Sequence, residues 1–160
     1  MIQKVFSSLL VILVCQQVGF SAGLELTPRD KRRIESGVID AFETIISLWK
    51  RDRFDEIYEY GDKISRETIS KETFISRTRG CVLASSWETV RDIEVEIVSL
   101  DHAYLKAKMG FASPSDEWGD TIFVIKIFEM ILEKGEWRID LRELCEFGIG
   151  GFRGGGRKRP

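Results

Sequence analysis

From residue 27 onward, apolar residues recur at three- and four-residue spacing: Ile34, Val38, Ala41 with Phe42, Ile45, and Leu48 with Trp49. This spacing predicts one amphipathic helix of about six turns. Thr27 can cap it, Pro28 suits its first turn, and Asp30 sits at the positive end of the helix dipole. Asp52 can cap a second, short helix with Phe54, Ile57 and Tyr58 inward and Gly61 as its stop. Ser70 can start a third, with Phe74 and Ile75 inward and Gly80 ending it. Ile64 and Ile69 are expected to plug the core from the connecting turns.

Beyond residue 90 the period changes to two. Ile93, Val95 and Ile97 alternate with Asp92, Glu94 and Glu96; Leu105, Ala107, Met109 and Phe111 alternate with Lys106, Lys108 and Gly110. Each pattern describes a strand with one wet face. Folded antiparallel about Asp101, the two set Glu96 against Lys106, Glu94 against Lys108, Ile97 against Leu105, Val95 against Ala107 and Ile93 against Met109. A second hairpin runs from Ile122 to Leu132, turns at Lys134-Gly135 and returns through Trp137-Arg138-Ile139-Asp140-Leu141. Leu132, Met130 and Phe128 then oppose Trp137, Ile139 and Leu141, and Glu129 faces Asp140.

Lys126 breaks this pattern, because the phase of Phe128 places it among inward residues beside Val124 and Ile122. The expectation is a bulge that turns Phe123, Ile125 and Ile127 inward instead. Its rival is a lysine in a pocket, where a buried cation needs a partner or a ligand.

Helices followed by antiparallel strands make an α+β domain, with the N-terminal helices packed on a curved four-stranded antiparallel sheet. The long first helix ending in Leu48-Trp49, then Arg53-Phe54-Asp55-Glu56-Ile57-Tyr58, Ile69-Ser70-Lys71-Glu72-Thr73-Phe74 and the closing Glu133-Lys134-Gly135-Glu136-Trp137-Arg138-Ile139 carry a family likeness. With them the chain resembles the nuclear transport factor two-like superfamily, whose fold is cone-shaped and cystatin-like. The likeness covers roughly Thr27 to Leu141 and consists of packing signals. It implies a pocket enclosed by the sheet, used in different members for catalysis, binding or dimerisation. Catalytic members similar to ketosteroid isomerase place an aspartate and a tyrosine there. Asp40, Tyr58, Tyr60 and Tyr104 are of the right type, but none matches a motif position.

Composition adds a destination. The first 23 residues have one early cation, Lys4, then an apolar stretch from Val5 to Cys15, then Gly19-Phe20-Ser21-Ala22-Gly23. This is the layout of a secretory signal peptide, with cleavage expected after Ser21 or Gly23. The apolar run of about 11 residues is short of a bilayer span, so no membrane span is expected after cleavage. An uncleaved anchor and a lipid-modified Cys15 are the rival readings. The expected protein is exported, periplasmic or secreted, with a single domain over 24–147 and a Gly-rich, basic, disordered tail over 148–160.

The net charge of −2 hides a polarity. Setting aside Lys4 and the tail cations Arg153, Arg157, Lys158 and Arg159 leaves 19 basic residues against 26 acidic ones, a body near −7. Such a body lacks the clustered cations that a nucleic-acid partner requires. Two cysteines follow the leader, Cys81 and Cys145. In an exported protein they form either a disulfide, closing a loop of roughly 65 residues worth about 4 kcal/mol, or two separate buried thiols.

Recognisable catalytic chemistry is sparse. His102, the only histidine, falls beside Asp101 in the expected hairpin tip and reads as a solvated turn residue. One histidine and two distant cysteines make no metal-site spacing, and no cofactor motif occurs. Trp118 lies on a polar loop between the hairpins and is a candidate for a binding rim or a lid. The pocket candidates are Tyr58, Leu105, Met109, Lys126 and Trp118. The expected function is a non-catalytic binding or accessory domain that takes a small apolar ligand or a protein partner. The alternatives are a pocket enzyme of isomerase or lyase type with a buried carboxylate, and a dimerisation domain.

Overall fold

A computed structural model of the chain describes residues 26–83, 89–112 and 121–145. The expected leader, the tail, Trp87 and Trp118 lie outside them. The described residues form an α+β fold in which N-terminal helices pack on a four-stranded antiparallel sheet.

Helix α1 spans Pro28–Trp49, and its N-terminus is built as its sequence requires. The Thr27 side chain accepts from the Asp30 N–H and Pro28 occupies the first turn. Ile34, Val38, Phe42, Ile45, Ile46 and Trp49 make its buried face. Helix α2, Phe54–Glu59, has no side-chain cap, because Asp52 is held in the left-handed region (φ 56°) and Arg53 takes the cap position. Helix α3, Lys63–Thr68, replaces an expected turn; Asp62 caps it through the Ser65 N–H. Its Ile64 is 62% exposed and plugs nothing, whereas Ile69 just beyond is buried. Helix α4, Lys71–Thr78, is capped by Ser70 as expected and buries Phe74.

The sheet runs in the order β1-β2-β3-β4, with β1 Val90–Ile97, β2 His102–Ala112, β3 Thr121–Glu133 and β4 Glu136–Ile139. In the first hairpin Glu94 pairs with Lys106, Val95 with Leu105 and Ile97 with Ala103. The register therefore slips by two residues from the expected one. A slip of two keeps every side chain on its face, so the hydrophobic pattern could not detect it. Glu94 still finds a lysine, with Lys106 Nζ at 2.9 Å.

The bulge exists, but in β1 rather than β3. Register shifts between Arg91 and Glu94, where Asp92 takes φ 52°. This extra residue lets Val90 and Ile93 both turn toward the core. Strand β3 pairs with β2 without a break from His102↔Ile131 to Ala112↔Thr121. Lys126 therefore stands opposite Ala107 on the helix-facing side, and Ile125 and Ile127 point away from the helices, 62% and 55% exposed. The expected inward turn of Phe123, Ile125 and Ile127 is thus corrected. Phe128 and Met130 must both be inside, and strict alternation then assigns every other residue of the strand.

The second hairpin has the expected loop, with Lys134 (φ 53°) and Gly135 (φ 87°) both left-handed. Leu132 faces Trp137 and Met130 faces Ile139. Leu141 does not continue the strand but opens a short helix α5, Leu141–Cys145, with Leu141, Leu144 and Cys145 buried. Gly61 joins β4 through a bridge to Ile139, flanked by Asp62 N–H to Ile139 O and Ile139 N–H to Tyr60 O, both 2.9 Å.

The core lies between α1 and the sheet. Phe42 meets Phe128 with ring centroids 5.1 Å apart, Trp49 meets Phe54 edge-on at 6.4 Å, and Trp49 Nε1 donates to the Cys81 carbonyl at 2.9 Å. Gly61 is needed where α5 crosses: a Cβ there would sit 2.5 Å from Leu141 Cδ1. Gly61→Ala should therefore cost about 1–3 kcal/mol by overpacking. In a Leu141→Ala background the same change should cost almost nothing, because the clashing methyl is gone. A double-mutant cycle by urea denaturation measures this coupling.

Candidate functional site

The sheet has two faces of different chemistry. The inner one carries Ala103, Leu105, Ala107, Met109 and Phe111 from β2 and Phe128 and Met130 from β3, all buried under the helices. Leu105 and Met109, expected as pocket walls, are fully buried core residues. Tyr58 is also engaged: its hydroxyl lies 3.0 and 2.9 Å from the Arg66 and Ile69 carbonyls, and its ring packs on Phe74 at 5.9 Å. Each of these three side chains completes the fold. The described residues bring them to no common cavity.

Lys126 is the pocket candidate that does reach a cleft. An open cleft of about 510 Å³ is lined by Tyr104, Ile125, Lys126, Ile127, Glu129 and Glu143. Because Ile125 and Ile127 belong to the outer face and Lys126 to the inner one, this cleft straddles the edge of β3. It lies where β4 stops: Asp140 N–H bonds to Glu129 O at 3.2 Å, and the chain then turns into α5, which supplies Glu143.

The outer face is a mosaic. Along β3 it shows Phe123, Ile125, Ile127 and Ile131; beside them lie Lys106, Lys108, Tyr104 and His102 of β2. Lys106 is paired with Glu94, while Lys108 Nζ and the Arg91 guanidinium lie over the Phe123 ring at 4.9 and 5.2 Å. His102 is not in the turn, as expected, but opens β2. Its ring sits edge-on to Tyr104 at 5.0 Å, and Nε2 lies 3.0 Å from Glu129 Oε1, off the line of a good hydrogen bond. The hairpin tip, Val98–Asp101, closes one residue earlier because of the shifted register.

Buried carboxylates are the feature a pocket enzyme would need, and two occur among the described residues, Asp62 and Asp140. Asp62 caps α3. Asp140 Oδ1 accepts from the Arg142 N–H and from Arg142 Nε, both at 2.9 Å. Both carboxylates hold chain turns in place. Asp40 is exposed on α1, where it lies within 3.4 Å of the Ser36 hydroxyl, and Tyr60 packs beside the Arg138 guanidinium. Among the described residues no group of three or more His, Cys, Asp or Glu could hold a metal ion, and no helix is long and apolar enough to cross a membrane.

Of the two cysteine readings, the structure has the second: Cys81 and Cys145 are buried, free thiols. Burial raises both thiol pKa values above the ordinary one, Cys81 to about 11, with the neighbouring Cys145 adding to its shift.

Sequence reasoning missed the outer row of β3 and Glu143. The signal for the row was present: both alternating sets of β3, Ile122/Val124/Phe128/Met130 and Phe123/Ile125/Ile127/Ile131, are apolar. Glu143 carried none, since α5 reads as a strand end. Compared with known protein-family models and with curated proteins, the chain matches none.

The thiol shift has a sign in stability. The unfolded chain releases the Cys81 proton near pH 9.0 and the folded chain only near about 11. The contribution is therefore whole below pH 9 and is lost as pH rises through about 11. Urea midpoints measured at pH 8 and pH 10.5 should fall further for the native chain than for Cys81→Ala. An equal fall in both would show that this thiol is not the cause.

Proposed function

We propose that this chain is a non-catalytic binding or accessory domain that acts through a protein partner rather than by enclosing a small apolar ligand. The observation that carries this reading is the contrast between the two sides of the sheet. Leu105, Met109 and Phe128 fill the inner side, while Ile125 and Ile127 stand 62% and 55% exposed on the outer side. Large aliphatic side chains on a strand, flanked by charges already paired with neighbours, are what a partner's apolar surface covers at the centre of an interface. The surrounding Lys106, Lys108 and Glu129 supply its polar rim.

Two further elements belong to the same proposal. The leader pattern of the first 23 residues supports an exported protein, periplasmic or secreted. The order of helices and strands supports membership of the nuclear transport factor two-like superfamily, in which this chain is a member whose inner face is occupied by its own side chains. A small-ligand pocket would require Leu105 and Met109 to line empty space, and both are fully buried.

An apolar fluorescent dye, anilinonaphthalene sulfonate, separates the two modes of binding. Dye fluorescence with the native chain should drop several-fold in Ile125→Ser/Ile127→Ser, whose melting temperature should stay nearly unchanged because both positions are exposed. A folded Leu105→Val protein should retain the signal. Dye binding that ignores the outer substitutions and responds to Leu105→Val would overturn the reading in favour of an internal ligand site.

A further inference from the structure

Strand β3 is thirteen residues long, but β4 covers only its last four, with Asp140 adding one more bond at Glu129. In an antiparallel ladder, alternate residues turn their N–H and C=O to the same neighbour. Glu129 turns its carbonyl toward the β4 side, so Ile127, Ile125 and Phe123 do likewise. Upstream of Glu129 that side carries no further strand among the described residues. The contrast with β4 is sharp. Its far edge is closed by the Tyr60–Asp62 segment through bonds to Ile139.

Open edges are ordinarily blunted by proline, by a bulge, by shortness or by charge. Between Phe123 and Ile127 there is no proline and no bulge. The segment reads Phe-Val-Ile-Lys-Ile, whose residues apart from the lysine favour pairing. The single charge is Lys126, which points to the inner face.

We infer that this edge pairs with the same edge of a second copy of the chain, β3 against β3 in antiparallel register, joining the two sheets into one. The strand's own sequence selects this occupant. A two-fold axis through Ile125 sets Phe123 against the partner's Ile127 and Ile125 against its equivalent, and each such pair exchanges both backbone hydrogen bonds. The outer rows of the two copies then form one apolar stripe, in which Ile125 and Ile127, the two most exposed large apolar residues of the sheet, pack sideways against the partner's row.

Charge fixes the register. Centred on Ile125, Lys126 stands opposite the partner's Val124, with Glu129 and Glu143 of its own chain lining the same cleft. Moving the axis by one residue to Lys126 would set two ammonium groups face to face. Lys126 thus acts as a register pin: it forbids one alignment and tolerates the next.

This inference rests on the partner-binding reading and names its partner as a second copy, engaged at the strand edge. The test is sedimentation equilibrium of the mature chain from micromolar to sub-millimolar concentration, with a concentration-dependent dimer expected. Ile125→Pro removes an N–H that faces the open edge and leaves the β2 ladder intact, so it should weaken the dimer at least about tenfold with the fold retained. Should that variant fail to fold, Ile127→Lys, exposed and outward, is expected to weaken it likewise. Ile125→Cys should form a disulfide-linked dimer under mild oxidation, since directly opposed residues lie within bridging distance, while Glu94→Cys should not. A wild-type chain that stays monomeric throughout the range overturns the inference, as does a dimer that Ile125→Pro and Ile127→Lys leave intact. A monomer whose dye binding still depends on Ile125 and Ile127 would overturn the self-pairing alone and leave the partner-binding reading standing.

Discussion

The unbroken ladder between β2 and β3 leaves one choice of face for every residue of β3. Phe128 and Met130 are the large side chains that fill the space beneath α1, so they must point inward. With no bulge to change phase, Phe123, Ile125 and Ile127 must then point outward, and Lys126 must share the inner side with Ala107. The position of the lysine, the exposure of the isoleucines and the cleft at the strand edge all follow from this one alternation.

The same constraint explains why the inner side is full. Across β2, Ala103, Leu105, Ala107 and Met109 offer alternating small and large side chains, and Phe42 descends from α1 onto Phe128 among them. Trp49 and Phe54 close one end, and the Trp49 indole finds its acceptor in the Cys81 carbonyl. Helix α5 lays Leu141 on Gly61, where a side chain on the facing residue would collide. The buried carboxylates Asp62 and Asp140 secure the turns at this corner, one as a helix cap and one through Arg142. Among the described residues the buried carboxylates thus serve chain geometry.

Charge on that outer face is arranged locally. Lys106 with Glu94, the cations over Phe123 and His102 beside Glu129 each hold opposite or complementary groups within a few ångströms. Exposed pairs of this kind add little to stability, but they lower the cost of covering the face by leaving few isolated charges to desolvate. Among the described residues β4 pairs with only the last four residues of β3, and no further strand lies beside the rest of that edge.

By itself the sequence determined the parts governed by local periodicity and local chemistry. These are the α1 face from Ile34 to Trp49, its Thr27 and Pro28 start, the Ser70 cap, the two hairpins, the Lys134-Gly135 turn and the α+β class. Only the tertiary structure decided the rest. The two-residue slip of the first hairpin was invisible because it preserves every face, and the location of the bulge depended on Asp92, whose side chain gives no such signal. A strand apolar on both sides, such as β3, has no periodicity to say which set is buried; the volume under α1 made that choice. For the same reason Leu105 and Met109 read equally well as pocket walls or as core, and the packing of Phe42 and Phe128 against the sheet is what made them core.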